Sequence, residues 1–345
     1  MRVRTSTATP SSPNQPNRRA TIKLLPGLAA CIAVALAATL LGGLIPLLGA
    51  PVCAILLGVG IATWKPLPAL EPGAAFASKA ILQWSIVLLG AQLNLAQIVR
   101  GGTSALPVML GTFAIVLALA YVAGRILGID RDLRRLLAIG TGICGGSAIA
   151  ALASVIDVDR SDVAYALGVV FFFNIVAVVT FPFLGHLQHL SQAAFGLWAG
   201  TAINDTSSVV AAAFAYGTAA GSTAIVVKLT RTLLIVPMVL FYAWKTIAAG
   251  GGRGIAWSRI VPWFVLWFLA AAALNTFGAI PPALHAPLQR VALFTIVVAL
   301  AGVGLGSDPE RIKAAGLRPL LLGAILWIAI AASSLAIAHY TNESM

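Results

Sequence analysis

Between Gly200 and Ala212 the chain reads GTAINDTSSVVAA, so Asn204, Asp205, Thr206, Ser207 and Ser208 stand in a row inside an apolar stretch, just after Thr201. A carboxylate there can bind a cation, take up a proton or pair with a basic side chain, because an ionisable group at membrane depth has to face a cavity or a partner. A plainer role is open too: Asn204 and Asp205 can cap a half-helix that starts at Thr206. The two roles are compatible, since a broken helix needs a cap at its break.

A second cluster is KLTR, Lys228 to Arg231. Positions i and i+3 share one helix face, so the two cations point the same way. Like charges in low dielectric repel, and they persist most easily with an anion, or Asp205, between them. Snorkelling is the alternative for Lys228, about six residues or roughly 9 Å from the expected end of its span. Arg231 lies deeper. The third cluster is GTGICGGS, comprising Gly140, Thr141, Gly142, Cys144, Gly145, Gly146 and Ser147. Glycines at a helix break let backbone N–H groups point at a ligand, and a half-helix N-terminus favours anions. The same residues would also permit close helix packing.

Other polar residues carry less. Asn174 and Gln83 read as inter-helix hydrogen bonds. His186 and His189 lack the Cys or carboxylate company of a metal site, and Cys31, Cys53 and Cys144 form no disulfide framework or zinc spacing. No GxSxG, HExxH, P-loop or dinucleotide fingerprint occurs, so no cofactor, no metal, no enzymatic activity and no ATP-driven transport by this chain alone are expected.

The elements that must hold these clusters are membrane spans. Of 345 residues 60% are hydrophobic and 9% charged, far below the roughly one quarter charged of a soluble domain. The net charge of +12 implies no nucleic-acid partner, because Lys and Arg sit mainly in short connections between apolar runs. Residues 1–22 are polar and Pro-rich and read as a disordered cytoplasmic tail, and 23–340 as a single transmembrane domain. At about 20 residues per span there are about eleven candidates (ten to twelve), near 24–42, 44–63, 77–95, 104–127, 135–156, 163–184, 196–216, 222–244, 258–277, 288–306 and 317–338. Gly and Pro make the second, fifth, seventh and tenth the candidates for broken or re-entrant helices. Aromatic-belt positions near span ends fall to Trp64, Trp198, Trp244, Trp257 and Trp263.

An inside N-terminus places Lys65, Lys79, Arg125, Arg131, Arg134, Arg135, Lys245, Arg253, Arg259, Arg311, Lys313 and Arg318 on the cytoplasmic side. Arg100, Arg160, Arg290 and the acidic loop Asp157, Asp159, Asp162 then face out.

Two internal similarities bear on architecture. GTGICGGSAIAA from Gly140 aligns with GTAINDTSSVVA from Gly200, matching Thr141 with Thr201, Ile143 with Ile203 and Ser147 with Ser207 at an offset of sixty residues. A weaker match pairs the third and fourth spans with the tenth and eleventh. By span count the weaker pair is inverted in the membrane and the stronger pair parallel. Repeats with discontinuous helices meeting near the midplane are a secondary-transporter architecture.

Through GTGICGGSAIAA, GLWAGTAINDTSSVVAAA and VVKLTR, the chain from about residue 24 onward resembles the YeiH-type family of bacterial inner-membrane proteins, labelled sulfate exporters. The resemblance implies an all-α polytopic fold related to the cation/proton antiporter and bile-acid symporter group, with inverted repeats and crossing broken helices. It carries over Gly140, Thr141, Gly142, Cys144, Gly145, Gly146, Ser147, Asn204, Asp205, Thr206, Ser207, Ser208, Lys228 and Arg231 as motif residues. The function expected is secondary transport of a small anion, sulfate or a sulfonate, coupled to H+ or Na+, from the lipid bilayer of the inner membrane. A cation/proton antiporter with Asp205 as carrier is the alternative, a membrane enzyme or sensor component is a weaker third, and a homodimer is an open assembly.

Overall fold

The computed structural model describes residues 18–44, 49–64, 67–248, 263–307 and 316–341. Lys65, Arg253, Trp257, Arg259, Arg311, Lys313 and residues 1–17 of the expected tail lie outside the described residues.

Every regular element among the described residues is helical, and seven helices are long and apolar enough to cross a membrane. In chain order they are α1 (Arg18–Leu44), α2 (Gly49–Trp64), α3 (Glu71–Phe76), a π-turn (Ala77–Ile81) and α4 (Leu82–Gly90) forming one continuous rod, and α5 (Leu95–Ile126). Then come α6 (Arg131–Gly142), α7 (Gly146–Ala153), α8 (Arg160–Leu187), α9 (Gln192–Ala202), α10 (Thr206–Tyr216), α11 (Thr218–Thr232) and α12 (Ile235–Ala248). The set closes with α13 (Trp263–Thr276), α14 (His285–Leu305) and α15 (Leu317–Tyr340). The first helix opens at Arg18, five residues ahead of the expected boundary at 23. Many rods are apolar all round because lipid rather than water covers the outer face. Starts are set by local chemistry where a loop intervenes: Asn94 and Gln97 form a reciprocal capping box that opens α5.

The rods sort into two groups. In the first, α1, α2, α3, α4, α13 and α14 pack as an unbroken panel around Cys31, Ala54, Ile55, Phe268 and Leu300. Its backbones touch at small residues: a Cβ on Gly58 would stand 2.8 Å from Gly304 Cα, and one on Gly302 would stand 2.7 Å from the Ala74 carbonyl. With lipid as apolar as Leu, such close backbone packing is what holds helices together.

The second group contains two hairpins. The α6 and α7 rods, about 18 and 12 Å long, each reach only about halfway across a 30 Å hydrocarbon layer. They fold back on each other: a Cβ on Gly140 would meet Ile149 Cδ1 at 2.8 Å, and Ile139, Ala148 and Leu152 line one small pocket with Ile235, Met238 and Val239 of α12. Accordingly Asp162, at the start of α8, lies within electrostatic reach of Asp130 and Asp132, at the start of α6. The second hairpin is α9–α10. Phe195 of α9 stacks on Tyr216 at the end of α10 with ring centroids 3.9 Å apart, and the Gln192 side chain accepts a hydrogen bond from Ala219 N at 3.0 Å.

These hairpins enter from opposite ends. The first begins and ends where α8 starts. The second begins and ends where α8 finishes, since the Tyr216 hydroxyl donates to the Gly185 carbonyl at 3.3 Å. Three expectations are corrected by this. The fifth and seventh expected spans are re-entrant hairpins and do not cross, whereas the second and tenth, also expected to be interrupted, are unbroken over α2 and α14. The stronger repeat is inverted rather than parallel, because a hairpin returns to its own side and leaves α8 as the only crossing between the two. For the same reason the Asp157–Asp162 loop, with the start of α8 at Arg160, lies at the end that carries Arg131, Arg134 and Arg135, not opposite it. Over the described residues, the other nine expected spans each fall on one helix or one continuous pair.

Candidate functional site

The hairpin tips meet beside α11, and the sixty-residue repeat acquires its meaning there. Helix α9 lies along α11 in the same direction, with Gly196 against Thr223 and Gly200 against Val227. That contact brings Lys228 and Arg231 to the tips. The Lys228 Nζ donates to the carbonyl of Ile143 in the first tip at 3.0 Å and to that of Ile203 in the second at 2.9 Å. Arg231 donates from Nε and Nη2 to the Gly142 carbonyl at 3.0 and 2.7 Å, from Nη2 to the Thr141 carbonyl at 2.9 Å, and from Nη1 to the Thr201 carbonyl. Matched repeat positions therefore share one donor: Ile143 and Ile203 share Lys228, Thr141 and Thr201 share Arg231.

The physical reason is the helix terminus. The last carbonyls of a helix have no intrahelical donor and carry its negative pole. Two such ends, α6 and α9, point at one place in low dielectric. Both cations are 0% exposed, so the snorkelling reading of Lys228 does not hold. All six hydrogen bonds these side chains make go to main-chain carbonyls, not to Asp205. The acid is engaged elsewhere. Asp205 is the N-cap of α10, accepting from Ser207 N at 2.9 Å, from Ser208 N at 3.3 Å and from the Ser207 hydroxyl.

The remaining sequence candidates fall around this junction with different exposures. Thr141, Gly142, Cys144, Gly145, Thr201, Asn204, Ser207 and Ser208 are buried, Asp205, Thr206 and Gly146 half-buried, and Ser147 exposed. Gly140 and Gly200 are buried glycines on α6 and α9 that admit Ile149 and α11 respectively. Gly145 has φ +67° and ψ −127°, which a side chain disfavours, and a Cβ there would lie 3.7 Å from Asp205 N. The α7 N-terminus that follows has no side-chain cap.

Two further residues belong to the junction. Asn174 of α8 accepts from Asp205 N at 3.3 Å, so its expected inter-helix bond is made to the second tip, while its amide nitrogen is buried without a partner. Ser334 of α15 is 2.5 Å from the Thr201 hydroxyl, fully buried. Its only sequence signal is a Ser pair in an apolar run. Among the described residues no cluster of three or more His, Cys, Asp or Glu could hold a metal. A cavity of about 330 Å³ lies beside the contact of the panel with the second hairpin, lined by Thr39, Gly49 and Pro51 on one side and Phe214 of α10 and Thr218 of α11 on the other.

A family model described as "Conserved hypothetical protein 698" matches residues 26–323. A "UPF0324 membrane protein" of Streptococcus pneumoniae serotype 4 is 40% identical over 319 residues, covering 90% of this chain and 95% of the relative. Similar proteins of Streptococcus mutans (39% over 331 residues) and Streptococcus pyogenes serotype M6 (41% over 330) cover 91% of this chain and 96% of each relative.

Proposed function

The chain belongs to the YeiH-type (UPF0324, conserved hypothetical protein 698) family of multi-pass membrane proteins, and from that premise we propose that it is a secondary transporter whose substrate passes the junction of the two hairpin tips. The substrate class is a small anion, sulfate or a related sulfur oxyanion or sulfonate, exchanged against H+ or Na+. One observation carries the reading: two cations lie fully buried where two interrupted helices meet, with Asp205 as the one acid in the tips. The formal charge of the junction is thus positive, and an uncapped helix N-terminus, α7, opens beside it. Hairpins that end at mid-depth can shift without breaking a crossing helix, and the cavity beside the contact of panel and second hairpin gives such a shift room.

The test is transport in proteoliposomes preloaded with labelled sulfate, beside thermal unfolding of the purified protein against sulfate, sulfite, thiosulfate and alkanesulfonates. A binding anion raises the unfolding midpoint in proportion to its occupancy. Saturable stabilisation and efflux by one of these anions is the expected result; no response to any of them overturns the anion reading. The second reading, a cation/proton antiporter, is favoured by the half-buried Asp205 carboxylate at the tip. Cation-driven proton movement lost in Asp205→Asn, whose side-chain oxygen still caps α10, would establish it instead.

A further inference from the structure

We infer that the junction is a monovalent-cation seat which the chain fills with its own Lys228 ammonium. The seat is made of carbonyl oxygens held by fixed backbone. Ile143 and Ile203 each follow the last residue of a half-helix, and their oxygens lie 3.0 and 2.9 Å from Nζ. Converging carbonyls at helix C-termini are what a desolvated cation takes in place of water. An ammonium group is close in size to K+, and here it lies at 0% exposure with carbonyl dipoles as its only hydrogen-bond acceptors among the described residues.

Asn204 follows Ile203, and its Oδ1 is buried without a partner. Lys228 has three donors and uses two. The charged and titratable groups facing the seat are Arg231 on the same helix, Cys144 in the first tip and Asp205 in the second. Arg231 is committed to the carbonyls of Thr141, Gly142 and Thr201 and leaves those of Ile143 and Ile203 to Lys228. With the seat filled by a tethered cation, a coupling Na+ binds elsewhere than at the carbonyls of Ile143 and Ile203. The inference holds whether or not the substrate is an anion.

The experiment removes the tether. Lys228→Ala is purified and its unfolding midpoint measured in KCl, NaCl, NH4Cl and N-methyl-D-glucamine chloride at equal ionic strength. The small cations should raise the midpoint of the variant saturably, by about 4 °C or more relative to the bulky one, with NH4+ and K+ ahead of Na+. Wild type should be indifferent to the exchange. A variant without cation dependence, or a wild type with as much of it, overturns the inference. Lys228→Ser, whose hydroxyl adds a ligand, is carried through the same series. Because the cytosol supplies K+ during biosynthesis, failure of both variants to accumulate in the membrane also counts against the seat.

Discussion

The two hairpins are built on one sequence pattern yet end their breaks differently. In the first tip the chain turns through Gly145 at φ +67°, and α7 starts uncapped. In the second the repeat-equivalent position is Asp205 in extended conformation, with its carboxylate on the first N–H groups of α10. The C-terminal sides of both breaks are nevertheless treated alike, by Lys228 and Arg231. One function of the tip, neutralising the half-helix C-termini, is thus shared between hairpins. The other, opening or closing a helix N-terminus, is divided between them.

The largest effect is expected from removing what the tips share. Arg231→Met leaves the carbonyls of Thr141, Gly142 and Thr201 buried without this donor. Each such group costs about 1–3 kcal/mol, so a loss of at least about 3 kcal/mol is expected, read as a collapse of the unfolding midpoint in detergent. A midpoint near wild type would mean that the tips do not depend on a common cap.

Next come the elements that differ. Gly145→Ala places a side chain in the left-handed region and should cost about 1–3 kcal/mol. Alanine at the equivalent position, Asp205→Ala, removes an N-cap and should cost about 1 kcal/mol. Asp205→Gly, which makes the second tip resemble the first, should cost only a few tenths. Thermal unfolding of the three variants side by side checks the order, and equal losses would erase the distinction between the tips. No larger than the loss of the cap is the effect of Ser334→Ala, which removes the partner of the Thr201 hydroxyl. A loss of about 1 kcal/mol or less is expected, and it should leave the first hairpin's hydrogen-exchange protection unaltered.

Much of the site was legible because polar residues in apolar runs are conspicuous. Asn204 and Asp205 announce a cap at Thr206, and Lys228 and Arg231 announce a shared helix face that needs a partner. The partners themselves were hidden. Ile143 and Ile203 carry apolar side chains, and their part is played by carbonyls that every residue owns. Only the sixty-residue register hinted that the two were equivalent. Asn174 reads as an inter-helix bond, and nothing in the sequence aims it at the second tip.

Composition and apolar run length by themselves determined that this chain belongs in a bilayer, as an all-α protein. Those properties follow from transfer free energies summed residue by residue, which need no coordinates. Whether each interrupted run crosses or returns was decided by tertiary structure alone. A half-helix looks the same in sequence in either case, and only contacts such as Phe195 on Tyr216 and Ile149 on Gly140 select the return. From that selection follow the inverted repeat, the side on which the acidic loop lies, and the meeting of both C-termini at Lys228 and Arg231.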